Sequence, residues 1–208
     1  MTSPPFERSV FVNCPFDDDY APLLQALAFC ICNLGFYPRL APENADNATS
    51  RLERIVDLIR GSKFGIHDLS RCKASVAGEY ARLNMPFELG LDHGYARFSS
   101  EPAGKAILVL EKDRYDSHRT LSDIAGWDIH PHSNDHIKLV RVVSEWLIRQ
   151  AGAEPVGPSK IQGDYLAFQE WYWDRESERG ASDEDIRAYP TVRMITAMHD
   201  WIALGRPI

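Results

Sequence analysis

The sequence predicts an α/β fold: a flavodoxin-like open parallel sheet with helices on both faces, extended by C-terminal helices. Three observations carry this reading. Short apolar runs alternate with amphipathic helical patterns through residues 9–110. The clearest of these runs, Gly104–Leu110, is apolar without alternation, as in a parallel strand covered on both sides. Beyond residue 152 every periodic segment is helical.

Each element follows from its residues. Ser9–Val12 reads as the first strand, closed by Pro15, which cannot donate to a ladder. Tyr20–Leu34 carries Leu23, Leu24, Leu27, Ala28, Ile31 and Leu34 near a 3.6-residue period, with Asp18 or Asp19 as cap and Gly35 as terminator. Phe36–Leu40 is a second strand and Pro42–Ser50 a polar loop. Thr49 or Ser50 caps a helix over Arg51–Arg60, stopped by Gly61 and Ser62. Lys63–Leu69 is the third strand. Ser70–Leu83 is a polar loop with a short helical turn around Ala74–Tyr80. Asn84 is expected to cap the next helix, with Pro86 in its first turn. Gly104–Leu110 is the fourth strand and Trp127–Ile129 a fifth. Helices are expected over Ile137–Ala151, Ile161–Arg175, Ser182–Arg187 and Thr191–Leu204. The expected division is an α/β domain over residues 1–151 and a helical extension over 152–208, packed on the domain or at an oligomer interface.

The chain has 208 residues, enough to bury a core without disulfides or metals. Twenty-three Lys and Arg stand against 30 Asp and Glu, for a net charge of -7. Such a balance argues against nucleic acid or an anionic membrane as partner, while leaving room for a small nucleotide held locally. No leader or membrane span is visible, so a cytoplasmic location is expected. The four cysteines, Cys14, Cys30, Cys32 and Cys72, read as buried thiols. The spacings of a zinc site, of a dinucleotide-binding GxGxxG loop and of a P-loop are all missing. His130, His132 and His136 read as a polar loop. The aromatic run Trp171–Trp173, with Tyr165, Phe168 and Trp201, lies among Glu170, Asp174, Glu176 and Glu178, so it reads as packing of the helical unit against the sheet.

Three places stand out for chemistry. Asn13-Cys14-Pro15-Phe16 and Asp17–Asp19 follow the first strand, where open parallel sheets hold their ligands. Asp68 ends the third strand, and His67 before it faces the opposite way. Glu88 lies in the first turns of a helix, where the helix field favours its ionised form, and Asp92 follows one turn later on the same face. A pair at that spacing can share a site or face water.

Val10–Phe16, the strand ending at Asp68 and Met85-Pro86-Phe87-Glu88-Leu89-Gly90 together resemble the nucleoside 2-deoxyribosyltransferase and nucleotide N-glycosidase superfamily, which is related to TIR domains. The resemblance spans roughly residues 8–112. It implies that Glu88 is the catalytic glutamate, that Asn13–Phe16 form the phosphate- or sugar-side loop, and that Asp68 contacts the sugar or orients the site. Asp17–Asp19 depart from the deoxyribosyltransferases and are closer to the TIR-like proteins of bacterial antiviral defence. The implied activity is hydrolysis or transfer at the N-glycosidic bond of a nucleotide, nucleoside or NAD, with NAD as substrate and no bound cofactor or metal. Asp68 or Asp92 is then the candidate proton donor to the base, Phe16 or Tyr20 its cover, and Arg39 or Arg51 the phosphate contact; Asp17 and Met85 complete the expected ligand-binding set. The alternative is a non-catalytic nucleotide-sensing or protein-interaction module of the same fold. A homo-oligomer is expected in either case.

Overall fold

A computed structural model describes residues 4–41, 50–73, 83–100 and 104–207. The short helical turn expected around Ala74–Tyr80, the loop 42–49 and Thr49 lie outside these. Five parallel strands form one sheet: β1 (Ser9–Asn13), β2 (Tyr37–Arg39), β3 (Phe64–Asp68), β4 (Ala106–Glu111) and β5 (Ile129–Pro131). Their order is β2-β1-β3-β4-β5, the flavodoxin-like arrangement, and the order reverses beside β1. All five residues of β1 and all five of β3 are buried, as central parallel strands require.

Contacts divide the chain into two compact units, 1–20 with 37–135 and 21–36 with 136–208. The first holds the sheet, α2 (Arg51–Arg60) and α3 (Asn84–Phe98). Ser50 and Glu53 form a reciprocal capping box that starts α2, and Ile55, Leu58 and Ile59 bury its inner face with Phe11 of β1. A second apolar cluster joins Leu69, Cys72, Met85, Leu89, Val109 and Ile129.

The second unit holds α1 (Ala21–Asn33), α4 (His136–Ala151), α5 (Pro158–Glu178), α6 (Asp183–Ala188) and α7 (Thr191–Ala203). Helix α1 is buried along nearly its whole length, and Phe29 at its centre meets Tyr165, Phe168 and Trp201 at ring separations of 5.2, 5.4 and 5.8 Å. Gly35, at φ 81°, ends α1: its own N–H reaches Cys32 O, and the Phe36 N–H reaches Ile31 O. In α5, buried Glu176 receives Arg179 and Arg193.

Several local expectations shift. The side chain taking the Tyr20 N–H ahead of α1 is Asp17, at 3.1 Å, rather than Asp18 or Asp19. Leu83 occupies the cap position of α3 and gives no side-chain bond; Asn84 is already helical. The fifth strand begins at Ile129, where pairing with Val109 starts, two residues beyond the expected Trp127. Trp127 instead packs on the second apolar cluster. Within their own unit the C-terminal aromatics pack on α1, and Trp171 and Trp173 lie under Arg175 and Arg187.

Gly65 in β3 is the tightest glycine. A Cβ there would stand 2.3 Å from Asp92 Oδ2 and 3.1 Å from His67 Nε2. Gly65→Ala is therefore expected to destabilise the chain by about 1–3 kcal/mol, read as a lower midpoint of urea unfolding.

Candidate functional site

The carboxyl end of β1 opens onto a cavity of about 360 Å³ lined by Cys14, Pro15, Phe16, Ala41, Arg51, Arg54, Asn84 and Met85. It lies beside the place in the sheet where the strand order reverses, at β1. The wall combines the β1 loop with the first turns of α2 and α3. Phe16 is 42% exposed at this wall. Among the described lining residues, the charged ones are Arg51 and Arg54, one helical turn apart on α2.

Glu88 is placed behind this wall. It is only 4% exposed, and its Oε1 lies 3.1 Å from Arg51 Nη2. The Arg51 side chain keeps half of its surface in solvent. Burial pushes the Glu88 carboxyl above its ordinary range, and Arg51 partly opposes this. Desolvation therefore overrides the expected preference of the helix field for the ionised form. The Cys14 thiol is held well above its ordinary value by burial and by the negative charges of Asp68, Glu88 and Asp17, so it is a poor nucleophile.

Asn13 sits beneath the wall and uses both amide hydrogens. One goes to Met85 O and the other to His67 Nδ1, each at 2.9 Å. With Nδ1 accepting from Asn13, His67 donates through Nε2 to Asp92 Oδ2 at 2.9 Å. Lys105 Nζ lies 3.0 Å from the other Asp92 oxygen, and Lys105 also donates to Ile59 O and Ser62 O. Burial works against the Asp92 charge, but His67 and Lys105 outweigh it and hold the carboxyl below its ordinary range.

Asp68 stands in a separate cluster. Its Oδ2 accepts from Tyr20 at 2.5 Å and lies 2.9 Å from His132 Nε2, while Oδ1 accepts from the Ser70 N–H and hydroxyl. His132 Nδ1 accepts the Asn134 N–H, so its Nε2 carries the proton. Here too burial is outweighed by the bonds, from His132 first and then Ser70 and Tyr20, and the Asp68 carboxyl falls below its ordinary range. Arg71 grips Asp17 through Nε and Nη2, at 3.2 and 2.7 Å.

The structure thus brings Cys14, Pro15, Phe16 and Met85 into one wall, with Glu88 and Asn13 just behind it. It does not bring Glu88 and Asp92 together: one turn apart on α3, they serve Arg51 and the His67–Lys105 pair respectively. Asp68, Tyr20 and Asp17 form their own bonded cluster, and Tyr20 is buried with its hydroxyl on Asp68. His67 and Asp68 do diverge, one toward Asn13 and Asp92, the other toward Tyr20 and His132. Arg51 lines the cavity, and Arg39 is not among its described lining residues. Arg54 was legible only as its neighbour at i+3 on a capped helix, and the roles of His132 and Lys105 have no local signal. His130 lies 3.6 Å from Asp128. Among the described residues, no group of three or more His, Cys, Asp or Glu is arranged to hold a metal ion, and no helix is long and apolar enough to cross a membrane.

Asp68 and Asp92 both titrate below the ordinary aspartate value in the folded chain. Their stabilisation is complete above about pH 4 and is lost as pH falls through their lower folded values. Urea unfolding from pH 7 to pH 3 should show that loss. Asp92→Ala should cost about 3–5 kcal/mol at pH 7 by leaving Lys105, 3% exposed, without its counter-charge. Comparison of the chain with protein-family models, with curated proteins and with solved structures found no match.

Proposed function

We propose that this protein acts at the N-glycosidic bond of a nucleotide, nucleoside or NAD, by hydrolysis or transfer, with Glu88 as the group facing the sugar. The observation that carries this reading is the position of Glu88: a desolvated carboxyl behind a cationic cavity at the switch point of a flavodoxin-like sheet. A wall of this composition suits a ligand with one anionic end and one flat face, since Arg51 and Arg54 lie in it together with Phe16.

Cleavage of an N-glycosidic bond moves the bonding pair onto the base and leaves positive charge on C1′ and the ring oxygen. An ionised Glu88 stabilises that cation or bonds to C1′, and water or an acceptor base completes the exchange. The burial that raises the Glu88 carboxyl also strengthens its attraction for the cation, because few waters screen the pair. Nicotinamide leaves neutral and needs no acid. Asp68 and Asp92 are already bonded within the core, which leaves protonation of a purine or pyrimidine to solvent or to a group of the substrate.

One observation favours the alternative, a nucleotide-sensing or interaction module without catalysis: Arg51 lines the cavity, whereas Glu88, its ion-pair partner, is not among the described lining residues. Base release decides between them. The full chain is incubated with NAD and a panel of nucleosides and nucleotides, and freed base is measured by chromatography. Glu88→Gln is expected to lower release at least about 100-fold, with the unfolding midpoint moved by no more than about 1 kcal/mol, since Arg51 is half in solvent. Activity should fall on acidification through a value above the ordinary glutamate range of about 4.3, as Glu88 takes up a proton. Release that persists undiminished in Glu88→Gln overturns the assigned role, and binding without release supports the module.

A further inference from the structure

The helical unit carries a cluster that the site above does not use. Along α5, Tyr172, Arg175, Glu176 and Arg179 stand three and four residues apart, so they share one side of the helix. Buried Glu176 is met by three guanidiniums. Arg179 Nη1 lies 3.0 Å from its Oε1, Arg193 of α7 donates to its Oε2, and Arg175 Nε stands 4.0 Å away. Arg175 also reaches Asp200, at 3.1 Å. These three cations and two carboxylates sum to one positive charge. Two donors of the cluster have no hydrogen-bond partner among the described residues. One is the hydroxyl of Tyr172, a residue only 2% exposed, and the other is the buried Arg175 Nη1. The Tyr172 hydroxyl lies within electrostatic reach of Glu176, Arg193, Tyr189 and Arg175. Phe168 stacks on the Tyr172 ring, and the Arg193 guanidinium sits 3.5 Å over the Tyr189 ring, so both groups are held in place. Bare buried donors are costly, and this pair calls for an acceptor that the described chain does not supply. Arg179 and Arg193 keep 56% and 48% of their side-chain surface in solvent, which gives a ligand a way in.

We propose that this cluster binds a dianionic phosphoryl group, as inorganic phosphate or as the phosphate of a small monoester. A phosphoryl group offers three strong acceptor oxygens, which serve the Tyr172 hydroxyl, Arg175 Nη1 and a further guanidinium donor together. A carboxylate brings two oxygens and one charge, and Glu176 already supplies that inside the cluster. The bound phosphate joins α5 to α7 and stabilises the folded chain by mass action. This inference goes beyond the N-glycosidase reading and is independent of it, since Phe16, Arg51 and Glu88 belong to the other unit.

The test is calorimetric titration of the full chain with inorganic phosphate, glycerol 3-phosphate and acetate at fixed ionic strength, with urea unfolding measured in each. Phosphate is expected to bind at least about tenfold tighter than acetate and to raise the unfolding midpoint. Tyr172→Phe deletes an unpaired buried hydroxyl, so without phosphate its midpoint should stay equal or rise. The same variant should weaken phosphate about tenfold, a combination that misfolding would not produce. Arg179→Ala should weaken phosphate about tenfold as well, and Arg51→Ala should leave it unchanged. Binding of phosphate alone sustains the proposal with the free ion as ligand, and binding of glycerol 3-phosphate sustains it with the monoester class. Absence of phosphate binding overturns the proposal, as does acetate bound equally well. Affinity lost in Arg51→Ala and kept in Tyr172→Phe places the anion elsewhere and overturns it. A Tyr172→Phe chain destabilised in the absence of phosphate shows that the hydroxyl is served within the chain, and overturns it too.

Discussion

The polar interior of the α/β unit depends on Asn13. Its amide spends both hydrogens on groups from two other elements, Met85 O at the start of α3 and His67 Nδ1 in β3. That choice makes His67 a donor, which points its proton at Asp92, which in turn holds Lys105. A buried polar group without a partner is costly, so every member of the chain constrains the next. Gly65 is the steric counterpart, because only a residue lacking Cβ lets Asp92 approach β3 so closely. The ends of the chain are the cavity itself: Met85 is in its wall, and Asn13 precedes Cys14 at its base.

This arrangement separates three carboxyls that look equivalent in the sequence. Asp68 and Asp92 are fully engaged, each held by two or more side chains that are themselves buried. Their charges are kept by bonds and serve to join strands, loops and α3. Glu88 is also buried, though less completely, and it is bonded to a side chain half in solvent. Its carboxyl is driven up by burial where the other two are driven down by their partners. A buried carboxyl whose charge is disfavoured and which has one half-exposed partner is the kind of group the proposed role calls for.

Elements whose physics is local are legible in the residues themselves. The helix starts near Ser50 and Ser182, the left-handed Gly35 and the uninterrupted β4 run each involve residues a few positions apart; the reciprocal bonds of Ser50 with Glu53 and Ser182 with Asp185 are what the folded chain adds. Elsewhere a distant partner decides the outcome. Strand β5 starts where Val109 pairs with it, two residues later than its own residues imply, and Trp127 is drawn into an apolar cluster. Asn84 has a good capping side chain, but α3 begins one residue earlier than that role needs. The aromatics of α5 and α7 find Phe29 of α1, more than 130 residues away in sequence.

Residue order alone carried the α/β class and the parallel sheet, and it drew attention to the loop after β1 and to Glu88. These depend on periodicity, turn chemistry and the rule that open sheets bind at strand ends. Only the folded chain decided which carboxyl pairs with a half-exposed arginine, which groups the buried histidines bond, and that two arginines of α2 line the same cavity as the β1 loop. Those properties are set by distances between residues remote in sequence and by the exclusion of water around them. Neither quantity exists until the elements have packed.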